Sequence, residues 1–537
     1  MSVNEDVSSN PESGIGRRRF LGGVGAGVAG AAAGAMFIND IDPAAAQTEG
    51  PAVAAAPDPR FSRMFNLPSF ADPRSTAVRN AMNDIGKLGG VMDARDPLEV
   101  GPVRLITEPG LSPRNVDQNI ANMTAGTTFV GQFLDHDITF DASSPLGTPA
   151  EPAATTNVRD ARLDLDSVFG GGPSVSPNLY DPNDRAKFRI SSGGRFEDLI
   201  RNTSDRSAVI ADPRNDENMM ISGLQVAFQL AHNRAVDLLR QQGQPNDVWF
   251  FARRMIIHHW QWLVVNEFLP QVVGSSLVND ILRNGRRWYR FNQPSMPVEF
   301  QTGAYRFGHS MVRPSYRANR SGDPSGSAAT GAPAFFGFIF DPAGEGQSNP
   351  VDLRGGARAT RRFIGWETFF DFGGQFTQHT RPNKLIDTNI STPLFRLPLA
   401  TISSRTPPIS LPQRNLLRHM TWSMPSGQRI AQATGSPILA SSNFPELRTY
   451  NLGLDSSTPL WYYILREAQV VNQGVRLGPV GGRIVAETII GLLQLDEFSY
   501  LNNNFRPTLP STTPGNFKIT DMLRWARVDP ATRNEQP

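Results

Sequence analysis

Three stretches that repeat apolar residues at helical spacing constrain this chain more than any other feature. In LQVAFQLAHNRAVDLLR, residues 224 to 240, Leu224, Ala227, Phe228, Ala231, Ala235 and Leu238 fall on one stripe, because positions three and four apart share a helix face. Residues 251 to 273, FARRMIIHHWQWLVVNEFLPQVV, and 481 to 496, GGRIVAETIIGLLQLD, read as two more helices. Pro270 should end the first of these within a turn or two. The two-residue alternation of a half-buried strand is rare, so the spacing predicts a mainly α fold with little β.

Between the helices lie long polar connections rich in Gly and Pro at 142–158, 317–334 and 341–350, consistent with 48 glycines and 43 prolines in 537 residues. No repeat and no shift in composition divides the chain, so residues 61–537 are expected to form one large helical domain. The net charge is +2, with four lysines and the arginines scattered. Nothing here resembles a nucleic-acid footprint. Cysteine is absent, which excludes disulfides and thiolate ligands and leaves histidine, carboxylate, methionine or tyrosine to hold a transition metal.

The N-terminus carries Arg17, Arg18 and Arg19 ahead of a segment dominated by glycine and alanine, with small residues for cleavage near Ala46. This resembles a twin-arginine signal peptide over 1–46, followed by a flexible linker over 47–60. So much glycine argues against stable membrane insertion. Export to the periplasm or the cell exterior is expected, in a folded state that permits cofactor loading beforehand.

Four short stretches carry polar residues in apolar or turn contexts. FVGQFLDHDITFD (129–141) would place Gln132 and His136 on one helix face, with Asp135 and Asp137 pointing elsewhere. DPRNDEN sets Arg214 three residues before Glu217, and YRFGHSMV puts Gly308 beside His309, so that a flat ligand could come close to the backbone. LDLDSVFGGG alternates Asp164 and Asp166 with leucines before a glycine turn. Each alone fits a packed histidine, a solvated ion pair or a turn.

In their order along the chain these stretches resemble the animal-type haem peroxidases, the peroxidase-cyclooxygenase superfamily, and in particular its bacterial members. The resemblance spans roughly residues 115 to 500. It implies that His309 is the proximal ligand of haem iron, with Arg306 on a propionate and Gln428 as the partner of the other imidazole nitrogen. It implies that His136 is the acid-base residue acting on hydrogen peroxide, that Arg214 stabilises charge as the O–O bond breaks, and that Gln132 binds distal water or halide. A ferryl intermediate would then oxidise a small-molecule or halide electron donor.

The cofactor that the resemblance implies is haem b, or a haem ester-linked through Asp135, Glu217 or both. Asn218 stands where a methionine would be needed for a sulfonium link. Asp137, Asp160, Asp164, Asp166 and the Arg162 carbonyl are the implied calcium ligands. His232 matches a family position and reads as a packing residue. Two alternatives stay open: a haem-dependent fatty-acid dioxygenase of the same superfamily, and a non-catalytic calcium-stabilised binding protein. The dioxygenase requires a tyrosine where this chain has Arg306; the adjacent Tyr305 should face another direction on a helix.

Overall fold

The helical stripe at 224–240 is the centre of a longer helix, and its neighbours follow the same logic. A computed structural model describes residues 58–533, apart from 116, 193–195, 245, 321–333, 348, 359–360 and 403–404. The expected leader and nearly all of the expected linker lie outside the described residues. The principal helices are α1 (Thr76–Ile85), α2 (Gly126–Ile138), α3 (Met219–Gln241), α4 (Val248–Leu263), α5 (Ser275–Asn284), α6 (Leu411–Thr421), α7 (Gly427–Thr434), α8 (Leu460–Asn472), α9 (Pro479–Leu495) and α10 (Ile519–Trp525). Strands among the described residues form only two-stranded pairs, so the chain is mainly α.

One local expectation holds and another is corrected. The helical path ends within a turn of Pro270, as expected: α4 passes through a widened π turn at Val264–Phe268 into Leu269–Val273 and stops at Gly274, with φ 90°. Proline has no N–H for the carbonyl one turn back, and the wider turn accommodates that loss before the next helical segment begins. The expected loop at 317–334 begins as a strand. Ser315–Asn319 pairs antiparallel with Phe335–Phe338.

Helix α2 sits in the core. Phe129, Phe133, Leu134 and Ile138 are buried, and the Phe133 ring lies 4.9 Å from Phe228 of α3 and 5.6 Å from Trp260 of α4. Each such aromatic contributes about 1.5–3 kcal/mol by leaving water. Gly126 opens α2 because a β-carbon there would lie 2.2 Å from the ring of Phe370. Gln132 and Asp135 are only partly buried, and that side of α2 faces a cavity.

The segment bearing His309 is a broken helix: a π turn at Glu299–Gly303, a tighter turn at Ala304–Phe307 and a single α turn at Gly308–Met311. The Glu299 carboxylate anchors its start by accepting from the backbone N–H groups of Met64 and Phe65. Helix α6 runs beside it, capped by Ser410. His419 ties α6 to α8, bonding the Asn415 carbonyl with one ring nitrogen and accepting from the Trp461 N–H with the other.

Candidate active site

A cavity of about 1650 Å³, measured out to bulk solvent, is lined by both His136 and His309, together with Arg214, Glu217, Arg306 and Asn415. It gathers side chains from α2, the turn before α3, the broken helix and α6. Concave sites of this kind, with few polar groups on an apolar wall, are where ligands bind.

His136 is 3% exposed. Its Nδ1 lies 2.8 Å from Oδ1 of Asn215. The Asn215 amide nitrogen is held by Gln225 Oε1 at 2.7 Å and by the Ser167 carbonyl at 3.3 Å, which fixes the amide so that its oxygen faces the imidazole. Nδ1 therefore carries the proton, and Nε2 is left bare. Burial, then the positive Arg214, hold the ring neutral by lowering its pKa to about 3, against the opposing pull of Asp212.

Arg214 stands on a short turn, Pro213–Asp216, capped by Asp212. Its guanidinium binds Asp212 through Nε (3.0 Å) and Nη2 (2.8 Å) and donates to the carbonyls of His136 and Thr139 at the C-terminal end of α2. Four of its five N–H groups are thus committed, with Asp135 at 3.7 Å from Nη1. A cation on the last carbonyls of a helix also favours the helix dipole. Asp212 is pushed up by burial but pulled down further by Arg214, to about 2.

Two carboxyls line the same wall. Burial raises Asp135, against the attraction of Arg306 and Arg214. Burial raises Glu217 to about 8, again opposed by Arg214. Gln132 donates to Glu217 Oε2 (3.2 Å) and accepts from the Asn218 amide (3.1 Å), so it braces the carboxyl rather than facing open space alone.

His309 is lowered to about 3 by burial and then by Arg306. Its Nδ1 lies 2.7 Å from the amide of Asn415. Arg306 donates Nε to the Gln301 carbonyl at 2.9 Å, and its terminal nitrogens have no hydrogen-bond acceptor among the described residues. Gly308 has φ −55°, which any residue adopts, yet a β-carbon there would meet no protein atom within 4 Å.

Behind α2, carboxylate oxygens of Asp137, Asp164 and Asp166 lie within 4.8 Å of one another. Trp260 donates to Asp137 Oδ2 at 3.0 Å and Arg253 to Asp164 Oδ2 at 2.8 Å. Asp137 Oδ1 and Asp166 Oδ1 are buried without a hydrogen-bond partner. Burial and then the neighbouring aspartates raise Asp137 well above the ordinary carboxylate range.

An animal haem peroxidase family model matches residues 143–330. That stretch contains Asp164 and Asp166 of the acidic cluster, Arg214, Glu217 and His309, and begins just after His136 and Asp137. The chain is 26% identical over 248 residues to the human protein named Probable oxidoreductase PXDNL, an alignment covering 40% of this chain and 16% of that one. It is 33% identical over 115 residues to Heme peroxidase 2 of Caenorhabditis elegans, covering 20% and 16%. The chain thus spans less than a fifth of the length of these relatives. Peroxidase A from Dictyostelium discoideum shares the fold, with a TM-score of 0.57 at 15% identity over 86% of this chain and 96% of that one. Residues 143–330 thus match the animal haem peroxidase family, in agreement with the resemblance to the peroxidase-cyclooxygenase superfamily read from the motifs.

Three residues stand elsewhere than the motifs suggest. Gln428 does not reach His309: it lies on α7, donates to Thr458 Oγ1 at 2.8 Å and accepts from the Thr458 N–H at 2.9 Å. Asn415, thirteen positions earlier, stands beside the imidazole instead. Tyr305 also departs from expectation. The tighter turn at Ala304–Phe307 brings it into the cavity wall, where its hydroxyl donates to the Gly131 carbonyl at 3.1 Å. Asp160 stands outside the acidic triangle. Its Oδ1 accepts from the Arg162 N–H and its own N–H donates to Asp166. Asn215 was missed, although it lies between Arg214 and Glu217 in the motif. His232 is a packing residue as expected, bonded to the Ala186 carbonyl.

The residues present fit the superfamily's cofactor. Gly308 leaves open space where a side chain would block a flat ring, and the terminal nitrogens of Arg306 suit a carboxylate. The two orphaned oxygens of Asp137 and Asp166 fit a hard cation, which favours several oxygen ligands.

Proposed function

We propose that this protein is a haem peroxidase that reduces hydrogen peroxide and oxidises an organic or halide electron donor. The observation that carries the reading is a neutral His136 with a bare Nε2 on the same cavity as His309 and its open Gly308. Bound haem would supply an iron centre able to take up oxidising equivalents from peroxide. His309 would hold the iron, and Arg306 would hold a propionate.

His136 receives a proton from peroxide at Nε2 and returns it to the departing oxygen. Asn215 keeps the tautomer that makes this possible. Arg214 holds the end of α2, and so His136, while adding fixed positive charge to the wall. Asp135 and Glu217 are placed to carry ester links to the haem, Glu217 being largely protonated at neutral pH. Freely dissociating, unmodified haem in the mass spectrum of acid-denatured protein would exclude such links. Asp137, Asp164 and Asp166 hold calcium in this reading, with Asp160 and the Arg162 carbonyl beside them. A twin-arginine leader over residues 1–46 would export the loaded protein. Among the described residues no helix is long and apolar enough to cross a membrane.

The test is the absorption spectrum of protein purified with haem supplied, followed by one equivalent of hydrogen peroxide in a stopped-flow instrument. A Soret band that shifts within milliseconds, and about 10²- to 10⁴-fold more slowly in His136→Ala, supports the reading. A Soret band indifferent to peroxide sinks it. Tyr305 in the cavity wall favours a second reading, a fatty-acid dioxygenase, although its hydroxyl is tied to Gly131. Oxygen uptake with unsaturated fatty acid and no peroxide would establish that alternative.

A further inference from the structure

Between His309 and the protein surface stand two consecutive aromatic residues of α8 that the peroxide chemistry does not use. Trp461 is fully buried, and its ring stands edge-on to His309 with centroids 6.5 Å apart and planes at 78°. Its indole N–H donates to the Arg306 carbonyl at 3.0 Å. The next residue on α8 is Tyr462, 1% exposed, whose Cα is about 3.8 Å further along the chain. The Tyr462 hydroxyl donates to Glu446 Oε1, which also receives Arg466. The Glu446 side chain is 24% exposed. Consecutive residues of α8 thus place one aromatic ring against His309 and the next on a carboxylate that touches solvent, joined through the one stretch of backbone between them.

We propose that Trp461 and Tyr462 relay electrons from the surface at Glu446 to the haem cavity, so that phenolic donors too large to enter the cavity are oxidised at the surface. The inference rests on the peroxidase reading above. A packing role alone explains burial of Tyr462 but leaves its pairing with a partly exposed carboxylate, one residue from the ring against His309, without a use. Burial, and then Glu446, keep the phenol protonated, so removal of an electron requires an acceptor for the phenolic proton. Glu446 is that acceptor.

The electron count closes. Hydrogen peroxide is reduced to two waters by two electrons and two protons. Each electron leaves Tyr462 by way of Trp461 as the phenolic proton passes to Glu446. A donor phenol then returns an electron to the Tyr462 radical, and Glu446 returns the proton. Two donor phenols are oxidised to phenoxyl radicals per peroxide, and their two protons complete the two waters.

The experiment adds one equivalent of peroxide to the haem-loaded protein with a nitroso spin trap and maps the adducts by peptide mass spectrometry. An adduct on Tyr462 is expected, lost in Tyr462→Phe and much reduced in Trp461→Phe. Glu446→Gln, which keeps the packing, should slow its appearance and serves where Trp461→Phe does not load haem. Alongside, oxidation of guaiacol and of tyramine-conjugated dextran is compared. Tyr462→Phe should cut dextran coupling about tenfold, equivalent to about 1.4 kcal/mol in the barrier, and leave guaiacol oxidation unchanged. An adduct confined to the cavity residue Tyr305, or dextran coupling indifferent to Tyr462→Phe, overturns the relay alone. A wild-type Soret band that ignores peroxide overturns the peroxidase reading and the relay with it.

Discussion

The amide of Asn415 stands 2.7 Å from Nδ1 of His309, joining α6 to the broken helix across 106 positions of chain. As placed, the amide nitrogen donates to Nδ1. With Nε2 on a metal, Nδ1 carries the proton, and a half-turn of the amide presents its oxygen instead. Asn415→Leu removes that partner and should weaken haem retention or peroxide reactivity by about 10- to 100-fold. Asn415→Asp should strengthen the imidazole as a ligand and lower the iron's reduction potential. Spectroelectrochemistry of both variants checks this, with Gln428→Leu as the control whose potential does not move.

Gly308 tests whether open space is reserved for a ligand. Its backbone is helical, so Gly308→Ala should leave the protein without haem as stable as before, or up to about 1 kcal/mol more stable. The added methyl group projects toward the cavity, so haem occupancy after purification should fall. Occupancy equal to that of the parent would show that nothing binds close to this backbone.

Asp212 and Arg214 form a buried pair at 2.8 Å, with the aspartate side chain fully inaccessible. Asp212→Ala strands a buried guanidinium and should cost about 3–5 kcal/mol, read as a drop in the denaturant midpoint. The same change frees the C-terminal end of α2, so the peroxide reaction should slow as well. A normal midpoint would mean that the pair contributes only local order.

Calcium should act through Asp137, Asp164 and Asp166. Ion present at a hundredfold excess over its Kd stabilises the fold by about 2.7 kcal/mol, so chelation should lower Tm in scanning calorimetry. In Asp137→Asn the melting temperature should no longer respond to calcium. Identical melting of the parent protein with and without calcium would remove the cation from the account.

Acid should destabilise the protein through buried histidines. His259 is fully buried, bonds the Met255 carbonyl through Nδ1 and accepts from the Thr508 and Leu509 N–H groups through Nε2. Burial lowers its pKa to about 3. The unfolded chain binds a proton near pH 6.5 and the folded chain does not, so this stabilisation is complete above pH 6.5 and is lost as pH falls toward 3. In chemical denaturation between pH 7 and 4, His259→Gln should show a shallower loss of stability than the parent. Equal slopes would mean that His259 titrates with an ordinary pKa.

Much of this protein is legible in sequence because helical periodicity is local. The stripe from Leu224 to Leu238 lies inside α3, and the apolar run through 481–496 ends on the residue that caps α9. Spacing also placed Gln132 and His136 on the cavity side of α2. What sequence could not supply is which distant groups meet. Asn415 and Gln428 are amides on successive helices, and either could complete the imidazole. Only the packing of α6 beside the broken helix favours the first. The tautomer of His136 depends on Asn215, which is oriented by Ser167 and Gln225 from two other segments. The hold of Arg214 on α2 exists because a short capped turn ends beside that helix's last carbonyls. Hydrophobic period is written residue by residue along a strip of chain, whereas hydrogen-bond partners separated by tens of residues are selected only when the core closes.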